Sequence, residues 1–150
     1  MPPRLQPDPA EMKRALALLL RPGDVFEIRS PDAAGVRYDA RPVPRSATAY
    51  GYFGNVDTAA QIVAVAFEQA DADGVYVTLN PLHLGCLARA RNHFRPVRGK
   101  RTPTTSDKDV TSRRWLYVDL DVDRPSGICA TQTEKVRAFD VAQKVDLYLK

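Results

Sequence analysis

Apolar positions along the chain first recur at helical spacing in Met12, Leu16, Leu19 and Leu20. Asp8-Pro9-Ala10-Glu11 stands just ahead of them, with a capping side chain, proline at the first helical position and an acid three residues after the cap. A helix is predicted from Pro9, ended by Pro22-Gly23. The period then falls to two. "DVFEIR", residues 24–29, sets Val25 and Glu27 against Phe26 and Ile28, and "TAYGYF", residues 48–53, is a second, aromatic-rich strand after a loop holding Pro42 and Pro44. These two strands are expected to pair. A helix capped by Asp57 and running to Ala70 follows, with Ile62, Val65 and Ala66 on one face. "GVYVTLNP", residues 74–81, places Val75, Val77 and Leu79 on one side of a strand that Asn80-Pro81 stops, and a further helix is predicted from Leu82 to about Arg91. The strongest alternation spans Arg114 to Asp123: Leu116, Val118, Leu120 and Val122 point one way, while Trp115, Tyr117, Asp119, Asp121 and Asp123 point the other. Last, Thr131-x-x-Glu134 opens a helix with Ala138, Ala142, Val145 and Leu149 along one face. The order predicts an α/β (α+β) fold.

The acidic side of the Arg114–Asp123 alternation carries the chemistry. Carboxylates two residues apart on a strand stand about 7 Å apart, close enough to share a hard cation and poor neighbours without one. Aspartate has low strand propensity, so three of them are a bad choice for a merely wet face. A calcium loop of the D-x-D-x-D type needs glycine at its sixth position and glutamate at its twelfth, where this chain has Arg124 and Ala130. Two strand carboxylates suit Mg²⁺ or Mn²⁺ instead, which keep several waters and bind substrate phosphate oxygens beside one or two protein carboxylates. That is the arrangement of phosphoryl and nucleotidyl transfer.

Charge sharpens this picture. The chain of 150 residues has a formal net charge of +4, but Arg89 to Arg114 holds nine basic and two acidic residues, a local charge of +7. The segment also contains Pro96, Gly99, Pro103 and Thr104-Thr105-Ser106, which reads as a long polar connection unable to bury itself and free to meet polyanions. At 44% hydrophobic residues the chain can bury a core. It has no apolar run of about 18 residues and no basic-then-apolar N-terminus, so a cytoplasmic protein with no membrane partner is expected. Cys86 and Cys129 read as reduced thiols. Together with His83 and His93 they offer four zinc donors, at a spacing that matches no compact zinc motif.

"WLYVDLDVDRPSGICAT", residues 115–131, resembles the first catalytic motif of the archaeo-eukaryotic primase superfamily, particularly the primase-polymerases of bacterial mobile elements. "VFEIR", "GYF", "VYVTLNP" and "TTSDKDVTSRRWL" resemble the segments that precede that motif, in the same order, so the likeness covers most of Val25 to Thr131. It implies an N-terminal α/β unit over residues 1–112, followed over 113–150 by the first strand and helix of a catalytic unit built like an RNA-recognition motif. It implies a DNA primase-polymerase of DNA replication, a nucleotidyltransferase joining nucleoside triphosphates on a DNA template with Mg²⁺ or Mn²⁺. Asp119 and Asp121 match the catalytic metal-binding acids; Asp123 lies beyond the motif. Arg98, Lys100, Arg101, Arg113 and Arg114 are the expected DNA or nucleotide contacts, and Arg124, Ser126 and Gly127 the lining of a nucleotide pocket.

The family's second motif, a small residue followed one position later by histidine, and its third, a further strand acid, have no counterpart after Thr131, since His83 and His93 both come earlier. The last helix has no stop signal before Lys150, and one strand with one helix cannot close a sheet, so the chain is expected to be an N-terminal portion, inactive alone, with further C-terminal sequence or a helicase domain in the complete protein. Two other readings stay open. One is a haloacid-dehalogenase-type phosphatase, in which the first aspartate would be the nucleophile; that family wants threonine or valine where Asp123 stands, and places its motif near the start of the chain. The other is a non-catalytic single-stranded nucleic-acid binding module that uses the basic segment and exposed Tyr50, Tyr52 or Phe53 for stacking.

Overall fold

The protein is seen in a computed structural model that describes residues 7–38, 41–43, 47–68, 70, 72, 74–120 and 127–150. The chain divides into two compact units, Met1–Trp115 and Leu116–Lys150. The described elements mix helix with an antiparallel sheet of four strands, an α+β architecture.

In the first unit, α1 (Pro9–Leu19) begins where Asp8 turns extended and its carboxylate accepts the Ala10 and Glu11 amides, with Pro9 supplying a ready-made helical φ. Glu11 does not return to the cap; it accepts from Arg14, one turn on. Strand β1 (Phe26–Ser30) follows, then a short hairpin, β2 (Arg37–Tyr38) with β3 (Arg41–Pro42), and then β4 (Ala49–Phe53). Helix α2 (Val56–Phe67) is capped by Asn55, whose side-chain oxygen accepts the Thr58 amide, so the cap lies two residues before the expected Asp57. Asp57 instead forms an ion pair with Lys13.

The sheet runs β5 (Tyr76–Val77), β1, β4, β6 (Arg95–Pro96). The expected pairing of the two longer strands is present, antiparallel, with Phe26 opposite Phe53 and Ser30 opposite Ala49. Alternation explains its two faces. Phe26, Ile28, Ala49 and Phe53 look toward α1 and α2, where they meet Leu16, Leu20, Ala59, Val63 and Phe67 in the main core. Phe94 joins them across the β6 edge, its ring 5.7 Å from Phe53 and 5.3 Å from Phe67. Where the chain passes into β6 it presses on Gly51: an added Cβ there would lie 2.5 Å from the His93 carbonyl oxygen, so only glycine fits. The second face carries Val25, Tyr50 and Tyr52, covered by Leu82, a 3₁₀ turn (Leu84–Cys86) and the single helical turn α3 (Leu87–Ala90). The helix expected over Leu82 to Arg91 is present but shorter, Leu84 to Ala90, its first turn 3₁₀ and running directly into α3.

The second unit contains α4 (Gln132–Leu149), 18 residues opened by the expected capping box: Thr131 accepts the Glu134 amide, and Glu134 accepts the Thr131 amide at 2.7 Å. No residue of α4 is buried. The expected strand Arg114–Asp123 is not a strand over its described part, residues 114–120. Leu116, predicted for the core, is 73% exposed, and Val118 is exposed as well. Alternation gives an extended segment two distinct sides but supplies no hydrogen-bonding neighbour, and none of the described strands runs beside it. Asp121, Val122 and Asp123 lie outside the described residues.

Candidate functional site

The basic segment is not a free loop. From β6 it passes through two short 3₁₀ turns, Gly99–Arg101 and Asp107–Asp109, and lies as a strap along the second face of the sheet. Backbone bonds fasten it at both ends: the Val97 amide donates to Thr48, the His83 amide to Asp109 at 2.7 Å, and the Thr111 amide to Pro81.

One ion pair fastens its middle. The Arg89 guanidinium grips Asp109 with two bonds of 2.7 and 3.0 Å and also donates to the Tyr52 hydroxyl and the Thr104 carbonyl. It lies 5.7 Å from the Tyr52 ring centre, and the Tyr52 hydroxyl in turn bonds Thr105. Asp109 accepts the Ser106 amide and hydroxyl as well, closing a capping box on the second 3₁₀ turn. These bonds hold the Asp109 carboxyl well below the usual carboxylate range, the Arg89 pairing first and the Ser106 amide second. The same pairing pushes the Arg89 pKa above its ordinary value. Cys86, buried beside this pair, has its thiol pushed up by loss of solvent, which disfavours thiolate chemistry there.

The strap sorts its cations. Arg98, Lys100, Arg101, Lys108 and Arg113 are exposed, while Arg114 turns inward to an ion pair with Asp24. Asn80 fixes that end of the unit: its side-chain oxygen accepts the Arg114 and Trp115 amides at 2.8 and 3.0 Å. The Trp115 indole donates to the Leu19 carbonyl at the end of α1, satisfying a helix-terminal acceptor. Of the expected contacts, then, Arg98, Lys100, Arg101 and Arg113 face solvent, Arg114 spends its charge on Asp24, and Arg124 and Ser126 lie outside the described residues. The residues that sequence reasoning missed are Arg89 and Asp109, 20 positions apart; the Ser106-x-x-Asp109 spacing was the available sign of a local cap.

Of the candidate metal ligands, Asp119 is exposed in the second unit, and Asp121 lies outside the described residues. An exposed carboxylate is a hard oxygen donor of the kind Mg²⁺ or Mn²⁺ accepts, so Asp119 is chemically suited to the expected role. Among the described residues no three His, Cys, Asp or Glu side chains gather into a ligand set. Of the four zinc donors, the three in the first unit are separately engaged, His83 accepting the Gly85 amide, His93 contacting the Arg91 carbonyl and Cys86 buried; Cys129, in the second unit, is exposed. The aromatics considered for stacking are also elsewhere than expected, since Tyr50, Tyr52 and Phe53 are all buried. Among the described residues no helix is long and apolar enough to cross a membrane.

No protein-family model, curated protein or solved structure matches the chain.

Proposed function

We propose that this chain is the N-terminal part of a DNA primase-polymerase whose complete form carries out metal-dependent, template-directed nucleotidyl transfer. The observation that carries the reading is the Asp119-x-Asp121 stretch, which follows directly on a strap presenting Arg98, Lys100, Arg101 and Arg113 to solvent. Asp119 and Asp121 would hold Mg²⁺ or Mn²⁺, and the cation would neutralise charge developing on a leaving pyrophosphate. The exposed strap cations would meet phosphates of template or nucleotide, adding affinity without reading bases.

The test is primer extension by the full-length protein on a DNA template with either cation. Asp119→Ala and Asp121→Ala are expected to lower incorporation by roughly 10²-fold or more, while Asp123→Ala changes it much less. Near-normal incorporation by Asp121→Ala overturns the assignment. A second reading, a single-stranded nucleic-acid binding module without catalysis, is favoured by the outward-facing strap cations; salt-dependent binding that ignores Mg²⁺, with no incorporation by any form of the protein, would select it.

A further inference from the structure

The strand registers bring together four residues that are far apart in sequence. Arg29 of β1 stands opposite Tyr76 of β5 on one side and Tyr50 of β4 on the other, and Tyr50 stands opposite Arg95 of β6. Opposed residues project from the same face, so Tyr76, Arg29, Tyr50 and Arg95 form one row across all four strands, on the side away from α1 and α2. With strands about 4.8 Å apart, the row is about 14 Å long.

At the neighbouring level Tyr52 lies under the Arg89–Asp109 strap, and in this row Tyr50 is covered as well, so the members that reach solvent are Tyr76, Arg29 and Arg95. Tyr76 is 62% exposed, its ring leaning over Gly74, and Arg95 is exposed with one guanidinium nitrogen on the Arg89 carbonyl. Tyr50 is buried and forms the floor between them. Arg29 is the most constrained member. Three hydrogen bonds of 2.8 to 3.1 Å hold its guanidinium on Glu27, whose side chain is 2% exposed while that of Arg29 is 36% exposed. Glu27 cancels the charge of Arg29 and fixes its plane. What remains is a flat, immobilised guanidinium beside an exposed phenol, with the net positive charge at the Arg95 end and in the strap.

We propose that this row is a binding face for single-stranded DNA, with bases stacking on Tyr76 and the Arg29 plane and phosphates running toward Arg95. The inference rests on the nucleic-acid part of the function proposed above. A fixed guanidinium plane and an aromatic ring are surfaces on which unpaired bases stack, and the bases of a duplex offer no free face to either. Charge complementarity sets the direction, since the +7 segment begins at Arg89 and includes Arg95, Arg98, Lys100 and Arg101.

The test is fluorescence anisotropy of a labelled oligothymidylate with the purified chain, across a salt series, with a duplex of the same length as competitor. Tyr76→Ala, at an exposed position, should weaken single-strand binding by roughly tenfold with its salt slope unchanged, the sign of lost stacking. Arg95→Ala should weaken it and reduce the slope by about 0.7, one phosphate contact. The double variant Glu27→Gln/Arg29→Met, which removes both charges of the pair together, should weaken binding without changing the slope, because the pair carries no net charge; far-ultraviolet circular dichroism checks that it folds. Wild-type affinity in Tyr76→Ala and Arg95→Ala, with binding lost only when Arg98, Lys100 and Arg101 are changed together to Ala, would overturn the row and leave the proposed function standing. Equal affinity for duplex and single strand would also overturn it. Failure of the unaltered chain to bind either form would overturn the row, while the proposed function stands or falls with primer extension by the full-length protein.

Discussion

The two units of this chain hold their elements in opposite ways. Met1–Trp115 stabilises strands as short as two residues by burying Phe26, Phe53, Phe67 and Phe94 behind them, whereas Leu116–Lys150 holds an 18-residue helix of which no residue is buried. The first unit derives its order from tertiary packing, the second from local chemistry. Short elements survive where a core supports them, and a long helix without one depends on its cap and its own hydrogen bonds, which leaves it marginal in water.

The largest break in this contrast should come from Phe53→Ala. Its ring is fully buried between Phe26 and Phe94, and its loss should lower the stability of the first unit by about 4 kcal/mol. Chemical denaturation followed by near-ultraviolet circular dichroism measures this, and the helicity of α4 should not change. A smaller loss, about 2 kcal/mol, is expected for Asp109→Asn, which leaves Arg89 without its counter-charge at a site still partly open to water. This variant also tests pH dependence. The Asp109 pKa is lower in the folded protein than in the unfolded chain, so its contribution is complete above the ordinary carboxylate pKa and is lost as pH falls through the lower, folded value. The wild type should therefore lose stability below about pH 4 more steeply than Asp109→Asn. Parallel acid limbs in the two proteins would remove Asp109 from the account. The smallest effect belongs to the second unit: Thr131→Ala should cost α4 about 1 kcal/mol, seen as reduced helicity at 222 nm in far-ultraviolet spectra, with no shift in the unfolding of the first unit.

The same division governs what could be read from the sequence. Asp8 before Pro9, Thr131 three residues before Glu134, and the separate alternations around Phe26 and Phe53 were legible because each signal and the element it specifies lie within a few residues of each other. The choice of Asn55 over Asp57 as cap was not: both can cap, and the ion pair between Asp57 and Lys13 of another helix decides between them. The strap misled for a related reason. Its composition is that of a solvated loop, but Arg89 and Asp109 are joined by the fold rather than by sequence spacing, and their bond turns a polar run into an ordered layer. At residues 114–120 the error ran the other way, since perfect alternation describes the sides of a strand without providing a neighbour for it to pair with. For the candidate site, the cations were legible by composition and the acids by resemblance. The row through Arg29 was not, because its members come from four strands whose register no local pattern reveals.

The strand order also has a kinetic consequence. β1 and β4 are joined by residues 31–48, but β5 reaches β1 only after residues 31–75 have been traversed, and β6 reaches β4 only after residues 54–94. Each edge strand contributes two residues, so few ladder bonds repay the closing of a long loop, and neither edge forms until Val77 and Phe94 have found the core. The central pair should therefore be the first part of the sheet to form and the last to exchange its amide hydrogens, while the edges, where Tyr76 and Arg95 sit, should assemble late and open most often, an order that native-state hydrogen exchange would read.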